Sequence, residues 1–227
     1  MTDISANIKN VRARIEAACR RAGRPPEAVT LLCVSKKMPP EAVEAAFGAQ
    51  ERHFGENYAQ ELRDKAERLQ GLSGLHFHFI GPLQTNKARY VARWAWAFHA
   101  LDRLEVAQEL SRRREGEPLR CFVEVNLAGE DSKAGVSEEA LGAFLDSVRA
   151  LPGLLVVGLM ALPPLQENPE ANRPWFRRLA QLARVHGLSE LSMGTTSDFE
   201  VAIEEGATVV RVGTALFGER PSPGQKP

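Results

Sequence analysis

The sequence of 227 residues predicts an α/β fold, a single TIM-type (β/α)8 barrel with an extra N-terminal helix. Strand and helix patterns alternate along the chain, as they do in successive βα units. The segments 119–127 and 154–161 are nearly continuous apolar runs, which is typical of parallel strands that are buried on both faces. The length is close to the ~250 residues of a typical barrel.

The first element is an amphipathic helix at 3–22. Ile4, Ile8, Val11 and Ile15 recur at spacings of three and four residues, which places them on one helix face. A glycine and a pair of prolines follow and end the helix. This helix precedes the alternating units and therefore lies outside their repeat.

The alternating region contains eight predicted strands and seven predicted helices. The strand candidates are 30–36, 52–56, 75–80, 95–101, 119–127, 154–161, 189–193 and 208–213. The helix candidates are 39–49, 58–70, 85–93, 103–114, 137–150, 170–186 and 198–205. An open doubly wound sheet is the alternative, but no GxGxxG motif follows the first strand, which disfavours its dinucleotide-binding form. We expect one barrel domain over 1–220 and a disordered Pro/Gly-rich tail over 221–227.

Composition limits the class of protein. The sequence has 29 basic and 29 acidic side chains, which argues against a nucleic-acid-binding protein. Its three cysteines lack CxxC spacing, which indicates a reducing compartment without a disulfide framework. No signal pattern begins the chain, and prolines and a glycine interrupt its most apolar stretch, 151–165. These features predict a cytoplasmic protein that does not span a membrane.

Two strand-ending turns predict a phosphate site. The segments ELSMGTTSDF at 190–199 and VVRVGTALFG at 209–218 each run from a strand through glycine and threonine towards a helix. Such turns present backbone N–H groups and hydroxyls, and many barrels bind phosphate after strands 7 and 8. Alternatively, the glycines and threonines serve only as turn and cap residues.

A lysine ends the first predicted strand. Lys36 follows the apolar run TLLCVS, and burial in a barrel mouth would lower the pKa of its amine, allowing it to condense with an aldehyde. Lys37 is the competing candidate, and a solvent-exposed surface lysine is the simpler interpretation. Because side chains alternate along a strand, Lys36 points inward if Leu32 and Val34 fill the barrel.

Two further patterns have both a structural and a functional interpretation. Arg211 lies in the apolar segment VVRVG, where it would form an ion pair or donate to the nitrogen of a bound heteroaromatic ring. His76 and His78 share one strand face, but a zinc site would need a third ligand that the sequence does not place.

The motifs together resemble the pyridoxal phosphate homeostasis proteins, the YggS/PROSC family. The matching segments occur in the family's order along essentially the whole chain. They are VSK at 34–36, FGENY-Q at 54–60, HFIGPLQTNK at 78–87, SKAG at 132–135, GLMAL at 158–162, LSMGTTSDF at 191–199 and RVGTALFG at 211–218.

The resemblance implies a barrel similar to the N-terminal domain of alanine racemase, with pyridoxal 5′-phosphate held as a Schiff base on Lys36. It implies that Arg211 approaches the pyridine nitrogen. The implied cofactor-binding residues are Lys36, Asn57, His78, Met160, Thr196, Arg211, Gly213 and Thr214. The family usually has Met-Ser where this chain has Thr195-Thr196, and Thr196 keeps the hydroxyl.

The resemblance further implies a carrier that buffers pyridoxal phosphate and delivers it to apo-enzymes, with no catalytic residues and no metal. The alternative is a pyridoxal-phosphate-dependent racemase or decarboxylase of low activity. A racemase needs bases on both faces of the substrate, and this chain, with only two tyrosines, ends soon after its eighth strand. A barrel that binds a sugar phosphate is a third possibility. We expect no nucleic-acid or membrane partner, and a monomer or weak dimer.

Overall fold

The structure of the chain is a computed structural model that describes residues 2–129, 134–164 and 166–219. Eight parallel strands form a closed barrel in the order in which they occur along the sequence, and the eighth strand pairs with the first. The predicted barrel is therefore confirmed, and the open doubly wound sheet is excluded. The extra N-terminal helix is also present.

The strands and helices alternate around the barrel. The strands are β1 Thr30–Val34, β2 His53–Glu56, β3 His76–Phe79, β4 Ala97–Leu101, β5 Leu119–Glu124, β6 Leu154–Met160, β7 Glu190–Thr195 and β8 Val209–Val212. The helices are α1 Ile4–Arg21, α2 Pro40–Gly48, α3 Ala59–Arg68, α4 Ala88–Trp94, α5 Leu104–Arg113, α6 Leu141–Arg149, α7 Arg173–Val185, α8 Phe199–Glu204 and α9 Thr214–Phe217.

The predicted boundaries differ from the observed ones at strand ends and at helix starts, where α6 begins at Leu141 and not at the predicted 137. The first strand stops at Val34, two residues before the predicted end, because Lys37 adopts a left-handed conformation with φ of 63° and turns the chain outward. Strand β7 continues to Thr195, beyond the predicted 193. The four-residue helix α9 follows the RVG segment and was not predicted, since one turn is too short for a periodic pattern.

The core lies inside the barrel and between the barrel and its helices. Aromatic side chains such as Phe54, Phe79, Phe98 and Phe122 are fully buried, as are the helix faces that cover the strands. Burial of this apolar surface is the main favourable term in folding. The three cysteines are buried and form no disulfide bonds with one another.

Helix α1 packs between α2 and α8 and so belongs to the outer helical layer. The predicted apolar stripe is buried, with Ile8, Val11 and Ile15 facing the core. On the exposed side, Arg14 pairs with Glu200 of α8 at 2.9 Å. The extra helix therefore covers barrel surface next to α8 and α9, the helices that follow the two predicted phosphate turns.

Some predictions fall on parts of the chain outside the described residues. Residues 132 and 133 of the SKAG motif, the domain boundary at 220 and the tail 221–227 are among them. Within the described ranges, no helix combines the length and apolarity needed to cross a membrane.

Candidate functional site

A cavity of about 400 Å³ opens at the carboxyl ends of the strands. This end of a parallel barrel is where functional residues of such folds gather. Its lining comes from β1, β6, β7 and β8 and the loops that follow β2 and β3. The lining residues are Val34, Lys36, Asn57, Ile80, Met160, Leu162, Thr195, Thr196, Ser197, Arg211, Gly213 and Thr214. Seven of the eight predicted cofactor-binding residues are in this set.

Lys36 lines the cavity and Lys37 does not. The backbone N–H of Lys37 instead donates to Glu61 Oε1 at 2.6 Å, and its ammonium lies 5.9 Å from the centre of the Tyr58 ring. The chain reverses here, with Met38 N–H donating to Ser35 O. The structure therefore places the inward lysine as the alternation argument predicted, although both lysines follow the end of the strand.

A buried polar cluster supports the backbone next to Lys36. Lys65 of α3 donates from Nζ to Ser35 O at 2.7 Å, to Glu56 Oε1 at 2.8 Å and to Glu61 Oε1 at 2.7 Å. Ser35 Oγ donates to the same Glu56 oxygen at 2.6 Å. Burial raises the pKa of Glu56 to about 7 even with Lys65 beside it. The cluster thus ties the end of β1 to β2 and α3 and restrains the position of Lys36.

The turn after β7 is held in shape by Asp198. Asp198 accepts from Thr195 N–H at 2.7 Å and from Thr195 Oγ1 at 3.0 Å, and its other oxygen accepts from Asn172 at 2.8 Å. Gly194 has φ of 88°, and a Cβ there would lie 2.6 Å from the Cβ of Ala202. The turn therefore requires glycine at 194, and Asp198 orients the following residues towards the cavity.

The turns after β7 and β8 meet at Thr196. Gly213 N–H lies 3.3 Å from Thr196 Oγ1, and Thr214 Oγ1 lies 3.4 Å from the same atom. Two hydroxyls and a backbone N–H thus converge at one edge of the cavity. This donor set suits the oxygens of a phosphate group. This geometry fits the predicted phosphate site.

Arg211 is buried and forms hydrogen bonds rather than the ion pair of the structural interpretation. Its Nη1 donates to Ser192 O and Ser192 Oγ, both at 2.7 Å, and its Nη2 donates to Ala161 O at 3.0 Å. Among the described residues, its Nε–H has no acceptor. Burial lowers the pKa of Arg211 to about 10, so the guanidinium remains charged at neutral pH. The cavity therefore contains a charged donor with an N–H available to a ligand.

Asn57 and Met160 line the cavity as predicted, and His78 does not. The ring of His78 lies inside the barrel, where only 1% of the residue is exposed, between His53 and His99. His78 belongs to β3 itself, and its ring is held in the barrel interior by these two neighbouring rings. Direct contact of His78 with a ligand in the cavity is therefore not supported.

The two histidines of β3 contact other aromatic rings. His76 stacks on His53 with ring centres 5.1 Å apart, while His78 is hydrogen bonded to two other rings. Within the described parts of the chain, no group of three or more potential ligands has the arrangement needed to bind a metal ion. The zinc interpretation is not supported by these residues.

Three residues near the site were not singled out from the sequence. Lys65 holds the end of β1, Ser192 accepts from Arg211, and His99 bonds to Ser192. A signal existed for His99, since a polar residue within the apolar strand AFHAL must find a partner when buried. Lys65 carried only its i,i+4 spacing from Glu61, which is common on exposed helix faces and does not indicate burial.

A second cavity of about 540 Å³ adjoins the first and shares Asn57, Ile80 and Leu162 with it. Glu124 lies on its wall. Burial, and then the negative charge of Asp102, raises the pKa of Glu124 to about 7. The barrel mouth is therefore wider than the cavity around Lys36.

The chain matches the family described as alanine racemase, N-terminal domain, over residues 6–221. It is 46% identical over 224 residues to a pyridoxal phosphate homeostasis protein of Pseudomonas aeruginosa, covering 97% of both chains. It is 44% identical to one of Aquifex aeolicus, covering 94% of this chain and 96% of the relative.

A solved structure has the same fold and a closely related sequence. PipY of Synechococcus elongatus with PLP bound superposes with a TM-score of 0.81 at 33% identity. The superposition covers 95% of this chain and 100% of that one. The two chains therefore share both their architecture and their extent.

Proposed function

The chain belongs to the family of pyridoxal phosphate homeostasis proteins, and we propose that it binds pyridoxal 5′-phosphate reversibly through a covalent bond between the cofactor's aldehyde carbon and Lys36 Nζ. The observation that carries this proposal is the meeting of an amine, an anion site and a charged N–H donor in one cavity. That cavity, of about 400 Å³, lies within the ~300–1,000 Å³ range of small-molecule sites.

The residues fit the three functional parts of the cofactor. Thr196, Gly213 and Thr214 supply hydroxyl and N–H donors for the phosphate. Arg211 offers its Nε–H to the ring nitrogen, and Lys36 supplies the amine. When bound, the cofactor supplies an aldehyde that bonds reversibly to amines and a pyridine ring that accepts electrons. Asn57 and Met160 line the remaining wall.

The position of Arg211 favours cofactor storage over efficient catalysis. A guanidinium that donates to the ring nitrogen keeps this nitrogen unprotonated and weakens the ring as an electron acceptor. Among the described residues that line the cavity, Lys36 is the single group suited to act as a base. Racemisation needs bases on both faces of the substrate carbon. A racemase or decarboxylase of low activity remains the alternative function.

The proposed binding of the cofactor also suggests which partners receive it and where in the cell the protein acts. We propose that the protein buffers pyridoxal 5′-phosphate in the cytoplasm and delivers it to apo-enzymes, as a monomer or weak dimer. Leu162 at the rim of the cavity is 53% exposed, and Lys36 is partly exposed. Access from solvent supports exchange of the cofactor with an incoming amine without a change in fold.

Reduction with borohydride tests the covalent attachment. Protein mixed with pyridoxal 5′-phosphate should show a visible absorbance band, and borohydride should fix the label on the peptide that contains Lys36. Lys36→Ala should lose both signals, whereas Lys37→Ala, the adjacent matched control, should keep them. A label on Lys37 or Lys133 would contradict the assignment of Lys36.

Ligand comparison tests the phosphate site. Loss of one hydrogen bond to a charged group costs about 1.5–3 kcal/mol. Thr214→Val should therefore weaken binding of pyridoxal 5′-phosphate about 10–150-fold. It should leave binding of unphosphorylated pyridoxal nearly unchanged. The exposed Thr85→Val serves as the matched control, and equal weakening of both ligands would exclude Thr214 from the phosphate site.

Proton exchange separates the carrier from an enzyme. Cofactor-loaded protein is incubated in deuterated water with common L- and D-amino acids, and the α-proton is followed by NMR. Exchange faster than roughly 1 s⁻¹ would support an enzyme. Loss of the visible band without exchange, followed by activation of an added apo-enzyme, would support a carrier.

A further inference from the structure

A line of hydrogen-bonded side chains crosses the barrel interior below the cavity. His53 Nδ1 lies 2.9 Å from His78 Nε2, His78 Nδ1 lies 2.8 Å from His99 Nε2, and His99 Nδ1 lies 2.8 Å from Ser192 Oγ. Ser192 Oγ in turn accepts from Arg211 Nη1 at 2.7 Å. His99 is on β4 and Ser192 on β7, which are not neighbouring strands, so their contact runs through the interior.

We propose that His53, His78, His99 and Ser192 form one directed hydrogen-bond relay that positions Arg211, with every relay hydrogen pointing away from the guanidinium. We call these four residues the histidine relay. Its effect on the ring nitrogen depends on the function proposed above, whereas the direction of its hydrogens is a property of the protein without cofactor.

Neutral imidazoles are the first requirement of the relay. Burial lowers the pKa of His78 and His99 well below 6.5, and burial lowers the pKa of His53 to about 4. Near neutral pH each ring therefore has one N–H donor and one nitrogen acceptor. Three neutral rings in series then have two consistent arrangements of their hydrogens, one for each direction of the hydrogen-bond relay.

Ser192 selects the direction. Its oxygen already accepts from Arg211, and its hydroxyl has a single hydrogen to donate. If His99 Nδ1 carried a hydrogen, the Ser192 hydroxyl would have no acceptor among the described residues. The satisfied arrangement has Ser192 O–H donating to His99 Nδ1, His99 Nε2–H to His78 Nδ1, and His78 Nε2–H to His53 Nδ1.

The charge of Arg211 favours the same direction. With the hydrogens pointing away from Arg211, each lone pair faces the buried positive charge, and charge-assisted hydrogen bonds are the stronger ones. The rings are also clamped: His99 stacks on Phe122 at 4.2 Å between centres, and His78 packs against Trp96 at 5.0 Å. This packing fixes which ring nitrogen faces which partner, so the direction of the relay depends only on where the hydrogens lie.

The relay ends at the other end of the barrel. His53 is the first residue of β2 and is half-buried. It lines a cavity of about 360 Å³ together with Thr30, the first residue of β1, and Arg12 of α1. The last donor of the relay, His53 Nε2–H, therefore lies near the end of the barrel where the strands begin, away from the Lys36 cavity.

The consequence concerns how Arg211 is held. Ser192 Oγ can accept from Arg211 while making its own donor bond only because His99 takes its hydrogen. Without that acceptor the hydroxyl hydrogen competes for space with Arg211 Nη1. The relay thus keeps Nη1 on Ser192 and leaves Nε–H directed to the cavity, which makes His99 and Ser192 positioning residues for a cofactor-binding group.

NMR of the cofactor-free protein with ¹⁵N-labelled histidine tests the direction without any ligand. Two-bond ¹H–¹⁵N spectra at pH 7 should show His53, His78 and His99 all as Nε2–H tautomers. A hydrogen on Nδ1 of any of the three would overturn the relay. This result is independent of cofactor binding, so it separates failure of the relay from failure of the proposed function.

Variants at the two ends test the coupling. His53→Gln keeps an acceptor for His78 Nε2–H and should preserve the tautomers of His78 and His99, whereas His53→Phe removes it and should shift their signals. His76→Phe, which replaces a neighbouring ring outside the relay, is the control. Equal spectra for the Gln and Phe variants would contradict the coupling.

Binding measurements connect the relay to Arg211. Ser192→Ala and His99→Phe should each weaken pyridoxal 5′-phosphate binding about fivefold, as expected for one hydrogen bond. The double variant should be no weaker than either single variant, because both changes break the same chain. Additive losses of affinity in the double variant would refute the positioning role. Folded single variants that keep both the wild-type affinity and the Arg211 Nε–H resonance would also refute it.

Discussion

Replacement of Lys65 by methionine tests how the fold holds the cofactor lysine. The ammonium of Lys65 is almost fully buried and donates to Ser35 O, Glu56 and Glu61. Methionine is similarly long and apolar, so the change removes the charge and the donors while leaving little empty space. The variant isolates the polar cluster from packing.

The expected cost is large because Glu56 loses its cationic partner in a fully buried position and keeps only the hydrogen bond from Ser35 Oγ. Removing one member of a buried ion pair typically costs about 3–5 kcal/mol. Glu56 already has one buried oxygen, Oε2, without a hydrogen-bond partner among the described residues. We therefore expect Lys65→Met to lower the free energy of unfolding by about 3–5 kcal/mol near neutral pH.

The loss should also grow with pH. Burial raises the folded pKa of Glu56 to about 7 from 4.5, so the stability gained from its protonated form is complete below pH 4.5 and is lost as the pH rises through 7. Without the positive charge of Lys65 the folded pKa of Glu56 rises further. The variant therefore continues to lose stability above pH 7, where the stability of the wild type no longer changes through Glu56. The difference should increase above pH 7 by up to about 1.4 kcal/mol per pH unit.

Urea denaturation at pH 6, 7.5 and 9 measures these effects. The exposed Lys9→Met on α1 is the matched control and should change stability by less than about 0.5 kcal/mol. The double variant Lys65→Met/Glu56→Gln should recover part of the loss and remove its pH dependence. A loss below about 1 kcal/mol, or one that is constant with pH, would refute the reasoning, since 3–5 kcal/mol is the range for breaking a buried pair.

Three further predictions follow from the same geometry. Gly194→Ala should lower stability by about 1–3 kcal/mol in thermal unfolding, because a left-handed backbone is strained for a residue with a Cβ. Gly194 has φ of 88°, and the new Cβ would lie 2.6 Å from the Cβ of Ala202. Gly48→Ala is the control and should not destabilise the protein, because a Cβ there meets open space. Asp198→Ala should weaken pyridoxal 5′-phosphate binding in titrations by releasing the turn after β7, and unchanged affinity would contradict that role. Burial lowers the pKa of His53 to about 4 from 6.5, so this residue contributes stability above pH 6.5 that is lost as the pH falls towards 4. In urea titrations, the free energy of unfolding of His53→Gln should therefore rise relative to that of the wild type as the pH falls from 7 to 5. A difference that stays constant with pH would argue against a neutral buried ring.

Periodicity alone identified the architecture of this protein. Each of the eight predicted strands and the helix at 3–22 has a counterpart in the barrel, because burial on both faces leaves long apolar runs such as Leu154–Met160. Helix α9 was missed because four residues do not establish a period. Strand ends were misplaced by two or three residues, because turns such as the one at Lys37 depend on backbone conformation.

Local sequence also identified the residues of the cavity, since their chemistry is concentrated in short segments at strand ends. Lys36, Thr196, Gly213 and Thr214 each follow an apolar run, and the order of the strands brings those ends together. The position of His78 was decided differently. Its ring is buried in the barrel interior by contacts with His53 and His99, which come from the neighbouring strands β2 and β4.

The tertiary structure alone decided what supports these residues. Lys65 reaches Ser35 across 30 positions of the chain, and His99 reaches Ser192 across 93. No periodicity or motif encodes such pairs, because they form only when closure of the barrel brings β4 opposite β7 and α3 beside β1. Burial then requires every polar group to find a partner, and the partners available are set by the closed sheet rather than by neighbours in sequence.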